Sequence, residues 1–290
     1  MGHRPTTAIE SVANPRLKST LQLRKSRQRR ASGLLLAEGR REVSRAFAAG
    51  LVCRELWTCE PLLGGSFEPL GEIDQAYAAS SSVLRKLAWH DEPEGIVGVF
   101  EAPRWSLSDL LPTVPDALLL VAVDIEKPGN LGAMVRTAAA AGCRGVLAVG
   151  PAIDVFNPAA IRNSTAAVFG MPVVAVPDAE EALDWLEEAG VSILSAVAPE
   201  QGGGDCFVEA WTFPAAVVVG PEHAGLSPIW RDRASALVTI PMAGHGAIAV
   251  SDPSPMPKPM VDSLNASTAA AVLLYEAVRR RSANRVIEDQ

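Results

Sequence analysis

The chain has 290 residues, a length that predicts two domains. Hydrophobic residues make up 48% and charged residues 20%, which excludes dominant disorder. The net charge of −7 hides a split, because residues 1–50 hold eleven Lys/Arg against three Asp/Glu while the remainder is strongly acidic. In chain order, residues 9–31 read as a helix, with Asn14-Pro15 offering a cap and a first-turn proline. Gly33–Ala37 reads as a short apolar strand and Arg40–Ala49 as a helix. Short strands and helices alternate up to Gly98-Val99-Phe100. The stretch Ala102–Asp116, with Pro103, Pro112 and Pro115 and little periodicity, reads as interdomain, which puts the linker at residues 106–116 between domains at 1–105 and 117–290.

Beyond the linker, strand and helix alternate clearly. Leu118–Asp124 is a fully apolar strand, followed by a helix from about Leu131 to Ala141. Further strands are expected at Gly145–Val149, Val173–Val176, Val191–Val197, Ala215–Val219 and Ala236–Ile240. A helix is expected at Ala179–Ala189, and an alanine-rich one at about Ala266–Arg281. Apolar strands separated by helices predict an α/β fold with a parallel sheet covered on both faces. Residues 251–260 form a proline-rich patch.

The four cysteines form no C-x-x-C pair and none lies beside a histidine, so neither a metal site nor a disulfide scaffold is expected. No apolar run reaches the ~18–20 residues of a membrane span. The first 30 residues are highly charged, without an apolar h-region, so the expected location is cytoplasmic. Arg16, Lys18, Arg24, Lys25, Arg27, Arg29 and Arg30 form a dense basic run, a candidate polyanion site. A solvated basic helix explains the same run equally well.

Three segments hold the chemistry. In Lys127-Pro128-Gly129-Asn130-Leu131-Gly132, the glycine spacing does not fit G-x-G-x-x-G, and the chain has no G-K-[ST], so dinucleotide and Walker loops are disfavoured. An asparagine cap at Asn130 remains, with Arg136 six residues on as the one charge between Lys127 and Arg144. A guanidinium among alanines calls for a partner or a cleft. The second segment, Val217-Val218-Val219-Gly220-Pro221-Glu222, puts a carboxylate just past a strand, where open α/β sheets bind ligands. The third joins Ile240-Pro241-Met242-Ala243-Gly244 to Ser263-Leu264-Asn265-Ala266-Ser267. Three polar side chains at one helix start exceed what capping requires, and the free N–H groups there suit an anion.

In this order the three segments resemble the SpoU (TrmH-type) branch of the SPOUT methyltransferases, which methylate ribose 2′-hydroxyls of RNA with S-adenosylmethionine. Within it, Val155-Phe156-Asn157-Pro158, Asp184-Trp185 and Leu226-Ser227 with Trp230 resemble the avilamycin-resistance type of ribosomal RNA methyltransferase. The resemblance covers about residues 118–282. Residues 1–105, with Asn14-Pro15-Arg16 and Leu36-Ala37-Glu38-Gly39, look like the family's small RNA-binding domain, a ribosomal-protein-like α/β/α sandwich.

The resemblance implies a trefoil knot in the C-terminal domain, although knots are nearly absent from proteins at large. It places cofactor contacts at Gly220, Ile240, Met242 and Leu264, and catalytic groups at Arg136, Asn130, Glu222, Ser263 and Asn265. It implies a homodimer acting on RNA, with ribosomal RNA ahead of transfer RNA, no metal and no membrane. An RNA-binding assembly factor of the same fold without catalysis is the alternative. Relatives usually have a few residues between I-P-M-x-G and S-L-N, whereas here residues 245–262 intervene, as a lid, an RNA contact or surface decoration. Long surface insertions cost little loop entropy.

Overall fold

A computed structural model describes residues 7–151, 153–242 and 263–288, with side chains through 283. The chain divides into two compact units. Unit 1 comprises Met1–Arg104 with Asp154–Gly170, and unit 2 comprises Trp105–Ile153 with Met171–Gln290.

Unit 1 runs β1 (Thr7–Ile9), α1 (Pro15–Gln22), α2 (Ser26–Ser32), β2 (Leu34–Glu38), α3 (Arg40–Ala48), β3 (Cys53–Thr58), α4 (Glu60–Leu63), β4 (Ile73–Ala79), α5 (Ser81–Leu87) and β5 (Ile96–Glu101). The helix expected over 9–31 is instead two helices, α1 and α2, preceded by a loop that leaves β1 at Ile9. Asn14 Oδ1 caps α1 by accepting from the Arg16 N–H at 2.8 Å, behind Pro15. Tight i→i+3 bonds at Leu23, Arg24 and Lys25 then close the helix before α2 begins. The five-stranded sheet has the order β1-β4-β3-β5-β2, parallel across β1, β4 and β3 and antiparallel at β5 and β2. Alternate residues face opposite ways. Leu36, Trp57, Tyr77 and Val97 pack with Leu17 of α1 and Leu84 and Leu87 of α5. Phe100 of β5 meets Phe47 of α3 edge-on at 5.2 Å, so helices flank both sides of the sheet.

Unit 2 opens with β6 (Leu118–Val123), α6 (Pro128–Ala140) and β7 (Gly145–Val149). The chain then contributes Asp154–Gly170 to unit 1, including α7 (Pro158–Asn163), which packs on β2. Unit 2 resumes with β8 (Val173–Val176), α8 (Ala179–Glu188), β9 (Ser192–Ala196), β10 (Gly204–Asp205), β11 (Ala215–Val219), α9 (Pro228–Asp232), β12 (Ala236–Thr239) and α10 (Ala266–Glu288). The seven strands are all parallel, in the order β10-β12-β9-β11-β6-β7-β8. Leu119, Val121 and Val123 of β6 pack with Leu183 and Leu186 of α8 and Trp230 of α9. The other face of the sheet lies against α6 and α10, which also pack on each other. From β6 the chain builds outward to β7 and β8, while β11, β9 and β12 lie on its other side. Such a reversal opens a crevice at the carboxyl ends of the strands. Among the described residues, no helix is long and apolar enough to cross a membrane.

Candidate active site

The three chemistry-bearing segments converge at the carboxyl ends of β6 and β11. Asn130 is not the cap expected from the sequence. Proline at the first position starts α6 at Pro128, so Asn130 falls inside the first turn with its side chain free. Its Nδ2 donates to Glu222 Oε1 at 2.7 Å. Glu222 follows β11 directly through Gly220-Pro221. Gly220 permits this tight exit, since a Cβ there would sit 2.9 Å from Leu226 Cδ2 and 3.0 Å from the Gly225 carbonyl carbon. Asn265 does two things at the start of α10. Its Oδ1 accepts from the Ser267 N–H at 2.9 Å and hydroxyl at 2.6 Å, capping the helix, and its Nδ2 donates to Glu222 Oε1 at 2.6 Å.

Glu222 is therefore the joint between all three segments. The Asn130 amide holds its carboxyl below the usual carboxylate range, with Lys127 and the Ala266 N–H adding to the effect against partial desolvation. Lys127 Nζ lies 3.4 Å from Oε2. An ionised carboxylate only accepts hydrogen bonds, so Glu222 fixes the two amides and has no proton to give.

Two open clefts meet at this joint. The first, about 670 Å³, is lined by Gly220, Ile240, Met242, Ser263 and Leu264, together with Val197–Pro199, Val219 and Val238. All four residues expected to hold a cofactor therefore border one apolar cleft. The second, about 1100 Å³, is lined by Asp124, Glu126, Lys127, Asn130, Gly150 and His223. Both clefts share Pro221, Glu222 and Ala266. Asp124, Glu126, His223 and the Val197–Pro199 stretch were not anticipated, although Asp124 ends an apolar strand, the ordinary place for a ligand group. Asp124 adopts a positive φ of 48°, uncommon for a residue with a side chain. Its Oδ1 occupies the space that a Cβ on Gly150 would need, at 2.5 Å.

Arg136 does not join this cluster. Leu131, Met134, Val135 and Ala138 form the buried face of α6, while Arg136 is exposed and lines neither cleft. The inference that it needs a partner or a cleft within its own chain is not met among the described residues. The insertion at 245–262 lies outside the described residues, as do Ala243 and Gly244.

The basic run of unit 1 needs correcting. Arg29 is 4% exposed, pairs with Asp154 and donates Nη1 to the Leu23 carbonyl at 2.6 Å, so it is unavailable to a phosphate. Arg24 is committed to the end of α5, donating to the Lys86 carbonyl at 2.9 Å and to that of Ala88. Arg16 remains half-exposed but pairs with buried Glu55, which also accepts from Thr20 Oγ1 at 3.0 Å and Trp57 Nε1 at 2.8 Å. Lys18, Lys25, Arg27 and Arg30 are exposed.

Comparison with known proteins adds to this geometry. Residues 117–248 match the SpoU rRNA Methylase family, and residues 14–98 match the MRM3-like substrate binding domain. The 23S rRNA (uridine(2479)-2′-O)-methyltransferase of Streptomyces viridochromogenes is 36% identical over 212 residues, 72% of this chain and 68% of that protein. A crystal structure of an RNA 2′-O ribose methyltransferase superposes with a TM-score of 0.77 at 36% identity, covering 94% of this chain and 99% of the other. The SpoU methyltransferase AviRb from Streptomyces viridochromogenes, in complex with AdoMet, superposes with a TM-score of 0.74 at 30% identity, covering 92% and 98%.

Proposed function

Since the chain belongs to the SpoU rRNA methylase family, we propose that it transfers a methyl group from S-adenosylmethionine to a ribose 2′-hydroxyl of RNA, with ribosomal RNA as the substrate. The observation that carries this reading is the Glu222 joint, which ties Asn130 and Asn265 together where two clefts meet.

The first cleft fits the cofactor. Its walls are apolar at Val219, Val238, Ile240, Met242 and Leu264, and three strand ends bring backbone polar groups to its rim. A side chain at Gly220 would collide with the turn that shapes this cleft. When bound, the cofactor supplies a methyl group already activated on a sulfonium. What the protein must add is the position and charge of the hydroxyl, which is protonated near pH 7. Asn130 and Asn265, held by Glu222, are fixed groups at the junction where the ribose would enter.

Arg136 supplies the positive charge that holds the neighbouring phosphate and orients the hydroxyl. A guanidinium stays protonated, so it acts as a clamp, and the hydroxyl proton leaves to a phosphate oxygen or water. Its exposure away from both clefts supports a homodimer in which Arg136 of one copy completes the site of the other. A trefoil knot in unit 2, a methyltransferase domain over residues 117–290 and a cytoplasmic location belong to the same proposal. Ser263, at the rim of the first cleft, is assigned to substrate contact.

The test is methyl transfer from labelled S-adenosylmethionine to unmodified ribosomal RNA and to transfer RNA, with mass-spectrometric mapping of ribose methylation. A single methylated ribose in ribosomal RNA is expected. Cofactor binding without transfer to either RNA would favour the assembly-factor reading.

A further inference from the structure

Unit 1 carries a shallow, open cleft on its surface, lined by Trp89, His90, Pro158, Ile161 and Arg162, with the carboxylates Glu38 and Glu42 on its wall. Trp89 stands at its edge, 49% exposed. The backbone that carries this indole is fixed, and a guanidinium lies near its ring. Glu38 accepts from the Trp89 N–H at 2.5 Å and the His90 N–H at 3.3 Å, which fixes the backbone. The Arg24 guanidinium lies 5.8 Å from the ring centroid. Arg24 is itself locked by the Lys86 and Ala88 carbonyls at the end of α5, where a cation is favoured. Ile161 and Pro158 form an apolar wall, and exposed Arg162 stands beside them as a cation with no ion pair among the described residues.

An exposed aromatic on a fixed backbone, backed by a guanidinium, with an apolar wall and a free cation, fits an unpaired nucleotide. The base has a π-face for the indole and the phosphate a partner in Arg162. A paired base offers no such face, because its neighbours in the helix already cover it. We propose that this cleft binds one unstacked nucleotide of the RNA substrate, with the base stacked on Trp89 and its phosphate held by Arg162. The proposal rests on RNA being the substrate, and assigns unit 1 a preference for single-stranded or bulged RNA.

The experiment uses the full chain and two fluorescent probes, a 12-nucleotide single-stranded RNA and a 12-base-pair RNA duplex. Trp89→Ala should weaken single-strand binding by roughly 5- to 100-fold, the range for losing one base–aromatic stack. It should leave duplex affinity, S-adenosylmethionine affinity and the thermal midpoint unchanged. Trp89→Phe should stay within a few-fold of wild type, and Arg162→Gln should lower single-strand affinity while flattening its salt dependence. If the alanine variant does not fold, photocrosslinking decides. A 5-iodouridine in the single strand should crosslink to Trp89 of the unaltered protein, as mapped by mass spectrometry. Crosslinks confined to other residues, or single-strand affinity unmoved by Trp89→Ala, would overturn the proposal and return the cleft to a protein-docking surface. Methyl transfer measured on the same preparations separates the two readings. Transfer with no Trp89 effect defeats the stacking alone, and a Trp89 effect without transfer defeats the enzyme reading alone.

Discussion

Arg136 and Glu222 carry opposite burdens. Arg136 touches nothing that shapes either cleft, so Arg136→Ala should leave the thermal midpoint and S-adenosylmethionine affinity intact. Single-turnover methyl transfer should fall at least ~10²-fold, the scale for a positioned catalytic group. Arg136→Lys should also be poor, because an ammonium lacks the planar fork that orients phosphate and hydroxyl together. Near wild-type transfer by the alanine variant would remove Arg136 from the mechanism. Glu222, by contrast, holds the site's shape through its charge. Its folded-state pKa lies below the ordinary 4.5, so its stabilisation is complete above that value and fades as pH falls through the depressed one. Cofactor affinity by calorimetry should be flat from about pH 8 to about pH 5 and decline below the ordinary carboxylate range. Glu222→Gln should show the acid-form affinity at every pH, since its oxygen can still accept from Asn130 and Asn265 while its amide nitrogen, in place of Oε2, would face the Lys127 ammonium and the carboxylate charge is gone. Part of this site was readable in advance, because Glu222, Asn265 and Ser263 are polar residues beside strand ends and a helix start. The role of Asn130 was misread by three residues, most of a helical turn, because Pro128 begins α6 earlier than the apolar period suggests. Arg29 was unreadable, because its partner Asp154 lies 125 residues away and a charge count cannot distinguish a buried ion pair from a solvated one. Arg29→Ala strands Asp154 in a nearly closed site and should cost about 3–5 kcal/mol in denaturant unfolding.

At the scale of elements, six of the seven parallel strands of unit 2 were visible as apolar runs, and the structure has those six within a residue or two of expectation, whereas Gly204-Asp205 of β10 carries no apolar signal. The break between α1 and α2 was not visible. Leu21, Leu23 and the flanking basic residues continue a helical pattern, and only the local i→i+3 bonds end it. The break changes what the basic run can do. It turns Arg24 toward α5 and buries Arg29, leaving Lys18, Lys25 and Arg27 on the surface. Replacing those three with glutamine should reduce the log–log salt slope of RNA binding by roughly 2–3, at ~0.7–0.9 per phosphate contact. Cofactor affinity should not change. A slope that stays constant would make this a solvated face with no RNA contact.

At the scale of the molecule, the proline-rich linker suggests a clean cut, but the compact units do not respect it. Asp154–Gly170 belongs to unit 1, where Asp154 pairs with Arg29 and the Thr165 carbonyl accepts from Arg45. A chain of residues 115–290 should still bind S-adenosylmethionine, since every residue lining the first cleft lies within it. It should nonetheless melt below the full chain in calorimetry, because Ile161, Val168 and Phe169 lose the body they pack in. Equal midpoints would show that this segment stands by itself. The same sharing sets an order of events on the ribosome. Unit 1 lacks its last piece until about 50 further residues of unit 2 have been synthesised. At ~5–20 residues per second, the 125 residues between Arg29 and Asp154 take roughly 6–25 s to synthesise. During that interval β6, α6 and β7 are laid down while Arg29 still lacks the carboxylate that neutralises it in the finished unit.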